Sequence, residues 1–322
     1  MRYLARRVLH GLALLVGVSL LSFLLLDLAP GDFFDEMRLN PEIAPETVAH
    51  LRAQYGLDRP LAVRYWLWAR SAMQGEFGYS FAYDRPVSSL LWPRAANTLL
   101  LGVSATLLAW LLAIPIGIWS ATQRGTWKDR IGSGGTSLLL ALPELMLALL
   151  LLWIAVRSGL FPTGGMSSLG FENLSFWGKG KDLAAHLFLP ATTLALATLP
   201  VLLRHVRSAM IDALNSPCLL AARGRGIPRM RLLLRYALPL ASNSLISLFG
   251  LSLAGLLSAS LIVEVVMSWP GLGPLLLEAV MARDIFVVVG AVLFSAAFLF
   301  VGNLLADILL YLNDPRIRMA NA

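Results

Sequence analysis

Six stretches of this sequence stay apolar for about the roughly 20 residues that a helix needs to cross a bilayer. They lie at about 9–28, 98–121, 136–156, 187–210, 238–266 and 286–311. Only helices or closed barrels satisfy the backbone in lipid, and runs of this length exclude barrel strands. With 57% hydrophobic residues and only 14% charged ones, the chain lacks the polar surface of a soluble domain of 322 residues. The sequence predicts an all-α integral membrane protein with six transmembrane helices. The first run is expected to remain as an anchor. Its core, LALLVGVSLLSFLLL, is long for a secretory leader, and DLAPGD after it is a poor cleavage site.

The distribution of Lys and Arg gives an orientation. With the N-terminus inside, the inside segments hold Arg2, Arg6, Arg7, Arg124, Lys128, Arg130, Arg204, Arg207, a dense block near 225, Arg316 and Arg318. Their acids are Asp129, Asp212 and Asp314. Both termini are therefore expected in the cytoplasm. Topology accounts for the net charge of +7, which is no argument for nucleic-acid binding. Cys218 is the single cysteine and is read as a small buried apolar residue.

Residues 30–96 form an outside insert with two short helical patterns, PETVAHLRAQ and RYWLWARSAM, followed by the turn-rich GEFGYSFAYDRPV. A second outside loop, 158–186, is expected to be irregular and to contain a basic turn, GKGK at 178–181. SWPGLG at 268–273 predicts a tight turn and an aromatic anchor. The expected division is 1–29 for the tail and first span, 30–96 for the insert, 97–312 for a five-helix core with an inside loop at 212–238, and 313–322 for the second tail.

The inside loop is the unusual part. AARGRGIPRMRLLLRYALP at 221–239 carries Arg223, Arg225, Arg229, Arg231 and Arg235. The helix before it is expected to be interrupted at Pro217. CLLAARGRG then reads as a short helix, and IPRMRLLLRYALPL as the return to the membrane, with Pro228 at its start. A loop that fixes topology and touches anionic lipid accounts for the arginines. Ala221, Ala222, Gly224 and Gly226 are small enough to admit a close neighbour, which points instead to a helix that docks in a groove of a partner. Residue chemistry leaves both open.

Ala221, Ala222 and Gly226, with Leu238 and Pro239 following at a fixed distance, resemble the EAA loop of ABC-importer permeases. An ordered set of further pieces narrows the likeness: PGD at 30–32, YGLDRPLAVRYWLW at 55–68, GEFGYSF at 75–81, NTLLLG at 97–102, LPATTLAL at 189–196, VRSAM at 206–210, EVVMSWPGLG at 264–273 and DILLYLNDPRIR at 307–318. Together they resemble the first (B-type) permease subunit of the dipeptide, oligopeptide and nickel transport family. The resemblance implies a type I ABC importer transmembrane domain with a periplasmic insert, in the bacterial inner membrane. It implies four kinds of partner: a second homologous permease, two cytoplasmic ATP-binding subunits, a periplasmic or lipid-anchored substrate-binding protein, and the lipid bilayer. Neither cofactor nor metal is implied. The loop would be the coupling helix, with Ala221, Ala222, Arg223, Arg225, Gly226, Leu238 and Pro239 as its ATPase-coupling residues. Leu220 stands where the motif has an acid, and Ser258-Ala259-Ser260 where the family commonly has a Gly pair.

Ionisable groups are costly in lipid and are function candidates. Glu144, expected near the middle of the third span, is read as a pathway carboxylate facing a substrate amine or cation. Glu264, beside SWPGLG, caps that turn or shapes an outer gate, with Ser258 and Ser260 nearby. Asp307 is expected to pair with a basic residue, and His205 to sit at the membrane edge. GxxxxGK[ST] is absent, so ATP hydrolysis needs separate subunits. The expected function is the pore-forming subunit of a peptide importer. Nickel or another small solute is an alternative cargo. An ion-driven secondary transporter is the alternative class, and the paired broken helices it calls for are not evident.

Overall fold

The computed structural model describes residues 2–28, 33–34, 44–54, 56 and 58–313. Among these, α1 is Arg2–Leu28, α2 Pro45–Gln54, α3 Leu61–Ala72 and α4 Val87–Thr122. Strands β1 (Tyr79–Ser80) and β2 (Arg85–Pro86) precede α4 and pair antiparallel, Tyr79 opposite Pro86 and Ser80 opposite Arg85. Then come α5 Trp127–Ala141, α6 Glu144–Ser158, α7 Phe176–Leu214 and α8 Pro217–Gly224. Arg229–Leu232 is α9, Leu233–Ala237 a π turn, Leu238–Ala259 α10, Leu261–Val266 α11, Leu272–Met281 α12 and Ile285–Asn313 α13.

Five described helices are long and apolar enough to span a membrane, and α5 with α6, bent by 99° at their junction, are long and apolar enough together. The bend corrects the third run, which reads as one helix. Pro143 disfavours helical backbone at Leu142, whose φ and ψ are −82° and 120°, so the helix restarts at Glu144. The loop expected at 158–186 is also shorter than predicted. Ser175 caps α7 by accepting the Gly178 N–H at 3.2 Å, and GKGK falls in the first turns of the helix. At 39 residues α7 is roughly 58 Å long, about twice the hydrocarbon thickness, so it projects well beyond the bilayer. At the other end of α7 the helix stops before Pro217, which opens α8 instead of breaking α7. The insert's expected end at 96 lies inside α4, which already begins at Val87. The expected tail at 313–322 falls outside the described residues except for Asn313.

The chain forms two compact units, one of residues 8–98 with 270–298, the other of 99–269 with the chain's two ends. In the first, Phe23 of α1 packs on Tyr65 and Trp68 of α3, with ring centroids 5.5 and 5.0 Å away. The Trp68 indole N–H donates to the Phe77 carbonyl at 3.0 Å. Asp284 is fully buried at the start of α13. It accepts from Ser80 Oγ at 2.6 Å, from the Ala82 N–H at 3.2 Å and from the Val287 N–H at 3.4 Å. That anchors the hairpin and caps the helix together.

In the second unit, α4 and α7 approach closely at Gly117, where an added Cβ would lie 2.6 Å from Val206 Cγ1. Gly250 of α10 similarly admits Ala306 of α13, its would-be Cβ 2.0 Å from the Ala306 Cβ. Small residues at helix contacts are how membrane helices gain packing in a solvent as apolar as themselves. Trp110 of α4 donates to Ser252 of α10 at 2.8 Å. Asp307 meets Arg7 at 3.1 Å.

Candidate functional site

The connection between α7 and α10 is a compact two-helix elbow. Ser216 accepts the Leu219 N–H at 3.4 Å and Pro217 occupies the first helical position, so α8 starts sharply. It ends at Gly224, and Gly226, whose φ is +73°, turns the chain. The Gly226 N–H donates to the Arg223 carbonyl at 3.0 Å. Left-handed backbone of this kind is cheap only for glycine. Leu219 and Ala222, three residues apart, face inward and join a core with Met210, Ala213, Leu232 and Leu233. The opposite face offers Leu220, Ala221, Arg223 and Arg225 to the outside.

This division corrects two sequence expectations. Ala222 is 7% exposed and serves the elbow's own packing, so only Ala221 of the pair is open to a neighbour. Cys218 is exposed, not buried, because the inward register of α8 is set by Leu219 and Ala222. After Gly226 the chain returns through α9 and the π turn. The π turn ends just before Pro239, which lacks the N–H that an α-helix would bond to Arg235. Leu238 is half-buried against the core and Pro239 is exposed. Arg229, Arg231 and Arg235 are exposed as well.

The membrane acids fall in three environments. Glu144 is the first residue of α6, at the bend and not mid-helix as expected. It is half-buried, and its Oε1 is enclosed with no hydrogen-bond partner among the described residues. A carboxylate suits a helix N-terminus, where the peptide dipoles present positive charge. Glu264 is fully buried in α11 and accepts from Ser260 Oγ at 3.0 Å. Its backbone carbonyl accepts the Trp269 N–H at 2.8 Å, which ties the SWPGLG turn down. Ser260 stands at the break between α10 and α11, so the expected single fifth span is interrupted there. Ser258 lies in the last turn of α10, and its side chain is outside what the structure describes. Glu144 and the Ser260–Glu264 pair thus both sit at helix breaks.

Comparison with known proteins now bears on this geometry. Residues 113–319 match the family described as "binding-protein-dependent transport system inner membrane component". Residues 1–102 match the corresponding N-terminal family. The chain belongs to this permease family. It is similar to the oligopeptide transport system permease protein AppB of Bacillus subtilis (strain 168), 38% identical with 98% of each chain covered. The dipeptide transport system permease protein DppB of Escherichia coli (strain K12) is 32% identical over 99% of each chain. The glutathione transport system permease protein GsiC of Salmonella choleraesuis (strain SC-B67) is 34% identical over 99% of each. Among solved structures, an inward-facing form of the MetNI methionine ABC transporter superposes with a TM-score of 0.57 at 16% identity. It covers 70% of this chain and 96% of that one, and shows the shared fold.

One constellation of the permease was missed in the sequence. Asp129, 7% exposed in the first turn of α5, accepts both arms of Arg207 of α7. Nε is 3.1 Å from Oδ1 and Nη2 is 2.8 Å from Oδ2. The Gly125 N–H at 3.2 Å and Ser120 Oγ at 3.3 Å complete the carboxylate's shell. Fork-to-fork pairs of this kind fix orientation as well as distance. The two residues are 78 positions apart, and each looks like an ordinary inside charge. The pair holds the α4–α5 turn against α7 two turns before the elbow, so it positions the arm that carries α8.

Proposed function

We propose that the permease is one of two homologous pore-forming subunits of a type I importer that carries di- and oligopeptides across the bacterial inner membrane. Two cytoplasmic ATPases drive alternating access, and a periplasmic or lipid-anchored binding protein delivers cargo. Both termini lie in the cytoplasm, as the Lys and Arg bias requires. The observation that carries the reading is the outward face of α8. Leu220 and Ala221 form a small apolar knob between Arg223 and Arg225, on a short rigid helix packed onto the end of α7. Such a helix seats in a groove, and the guanidinium groups reach carboxylates at its rim. Leu238 and Pro239 set where the return helix begins. Glu144 and the Ser258–Ser260 break lie along the pathway, with the Glu144 carboxylate facing the cargo's ammonium group. Peptide cargo is supported by the oligopeptide and dipeptide names of the relatives.

The test is capture of the ATPases from membranes co-expressing the neighbouring genes, followed by ATP hydrolysis. An added Cβ at Gly226 meets nothing within the chain itself, so Gly226→Asp strains the turn by only about 1 kcal/mol and leaves a folded permease. The wild type should capture an active ATPase, and Gly226→Asp and Ala221→Glu should lose it. Full capture and coupled hydrolysis by both variants would sink the proposal.

A further inference from the structure

At the end of the bundle that carries the elbow, three helices line an open groove of about 710 Å³. Each contributes one face. Ile116, Trp119 and Ser120 come from α4; Gly132, Ser133, Thr136 and Ser137 from α5; Val201, Arg204, His205 and Ser208 from α7. On α4 and α5 these spacings of one, three and four residues are those of single helical stripes, and Leu203 of α7 lines the space as well. Gly132 has open space where a Cβ would stand, so α5 does not close on its neighbours there.

The lining is graded along the helices. Ile116 and Val201 lie about one turn further from the ends of α4 and α7 than Trp119 and Arg204. Trp119, Ser120, Arg204, His205 and Ser208 lie toward their ends. Three hydroxyls, from Ser133, Ser137 and Ser208, supply donors around Arg204 and His205. Arg207 also lines the space, but its charge is engaged by Asp129. Arg204 and His205 are exposed, and no carboxylate is among the lining residues.

We propose that this groove binds the phosphate headgroup of an anionic phospholipid. Arg204 and His205 face the phosphate, the hydroxyls donate to its oxygens and to the glycerol, and the acyl chains run along Ile116 and Val201. Trp119, about half exposed, stands at the level of the interface, where indole is at home. Basic pockets between membrane helices at a cytoplasmic surface are suited to such headgroups. A soluble phosphate would use Arg204, His205 and the hydroxyls alone and would gain nothing from the apolar end. The assignment to the inner leaflet rests on the orientation proposed above; the binding chemistry does not. The same groove lies against the Asp129–Arg207 pair, so an occupied site braces the joint between α5 and α7.

The experiment uses the full chain, purified in a neutral detergent. Native mass spectrometry would count phosphatidylglycerol or phosphatidylcholine retained, and thermal unfolding would be followed with each lipid. Wild type should retain phosphatidylglycerol and rise in Tm with it, and do neither with phosphatidylcholine. Arg204→Gln with His205→Gln should weaken retention roughly tenfold, as expected for removing an interfacial cation and the hydrogen-bonding side chain beside it. Ser133→Phe keeps every charge and fills the groove, and should lose the lipid as well. Arg231→Gln, on the exposed return segment, should behave as wild type. Glycerol phosphate should fail to compete. Equal retention of the two lipids, retention unchanged in both groove variants, or full competition by glycerol phosphate would each overturn the proposal. ATPase capture is not part of the readout, so lipid binding can fail while the importer reading stands, and the reverse.

Discussion

Arg207 and Arg223 are 16 residues apart at the same end of the permease, and they are used in opposite ways. Arg207 is turned into the bundle and forked onto Asp129, with its side chain 31% exposed and that of Asp129 10%. Arg223, on the outward face of α8, is exposed and makes no ion pair with the described residues. Residue type does not separate them. The difference is the presence of a complementary carboxylate on a neighbouring helix, which makes one arginine part of the framework and leaves the other available to a partner. The elbow is thus held where it joins the bundle and chemically open where it faces outward, which is what the proposed coupling role asks of it.

The largest expected effect comes from breaking the inner pair. Asp129→Ala leaves a half-buried guanidinium without its counter-ion. A fully buried broken pair costs 3–5 kcal/mol, and the partial exposure of Arg207 brings this to about 2–3 kcal/mol. The loss should appear as a lower Tm in detergent, and Asp129→Ala with Arg207→Met should recover part of it. A double variant no better than the single would show that the two side chains act independently. Next is Gly117→Ala, whose methyl group would meet Val206 at 2.6 Å. Val206 is β-branched and stiff, so α4 and α7 must part slightly, at a cost of about 1–3 kcal/mol. Because Val206 precedes Arg207, this variant should also weaken the coupling measured between Asp129 and Arg207. Third, Arg223→Glu with Arg225→Glu should change stability by less than about 0.5 kcal/mol, since both are exposed. The same double variant should abolish ATPase capture. Stability lost without capture lost would reverse the comparison.

The contrast also marks what a sequence can reveal. Apolar runs are local and set by composition, so the spans were legible, and so was α8, whose Pro217 and Gly226 are local punctuation. The bend at Leu142–Pro143 was present in the letters but hidden by the apolarity on both sides of it, and Glu144 was therefore placed mid-span. The start of α7 was hidden the other way: GKGK is polar and glycine-rich, yet the Ser175 cap and the packing of the following turns hold it helical. The split of Ala221 from Ala222 needed the register of a short helix. Asp129–Arg207 and the three-helix groove join residues distant in sequence, which no local spacing announces.

The smallest expected loss of stability tests whether the same logic holds in the other unit, between Tyr83 and Glu278. The Tyr83 hydroxyl donates to the Glu278 carboxylate. Partial burial first, and then that carboxylate, push the Tyr83 hydroxyl up from 10.0 to about 12. The phenol must stay protonated to donate, so its contribution is complete below pH 10 and fades as pH rises toward 12. Both side chains are partly accessible to solvent, which keeps the net value near 1 kcal/mol, at the low end for a hydrogen bond to a charged acceptor. Tyr83→Phe should therefore lower stability by about that amount at pH 8, and the gap from wild type should narrow as the pH is raised. Phenolate absorbance should show one late-titrating tyrosine fewer in the variant than in wild type. A gap independent of pH would assign the effect to packing and leave Asp129–Arg207 as the only one of the two pairs in which charge holds an element in place.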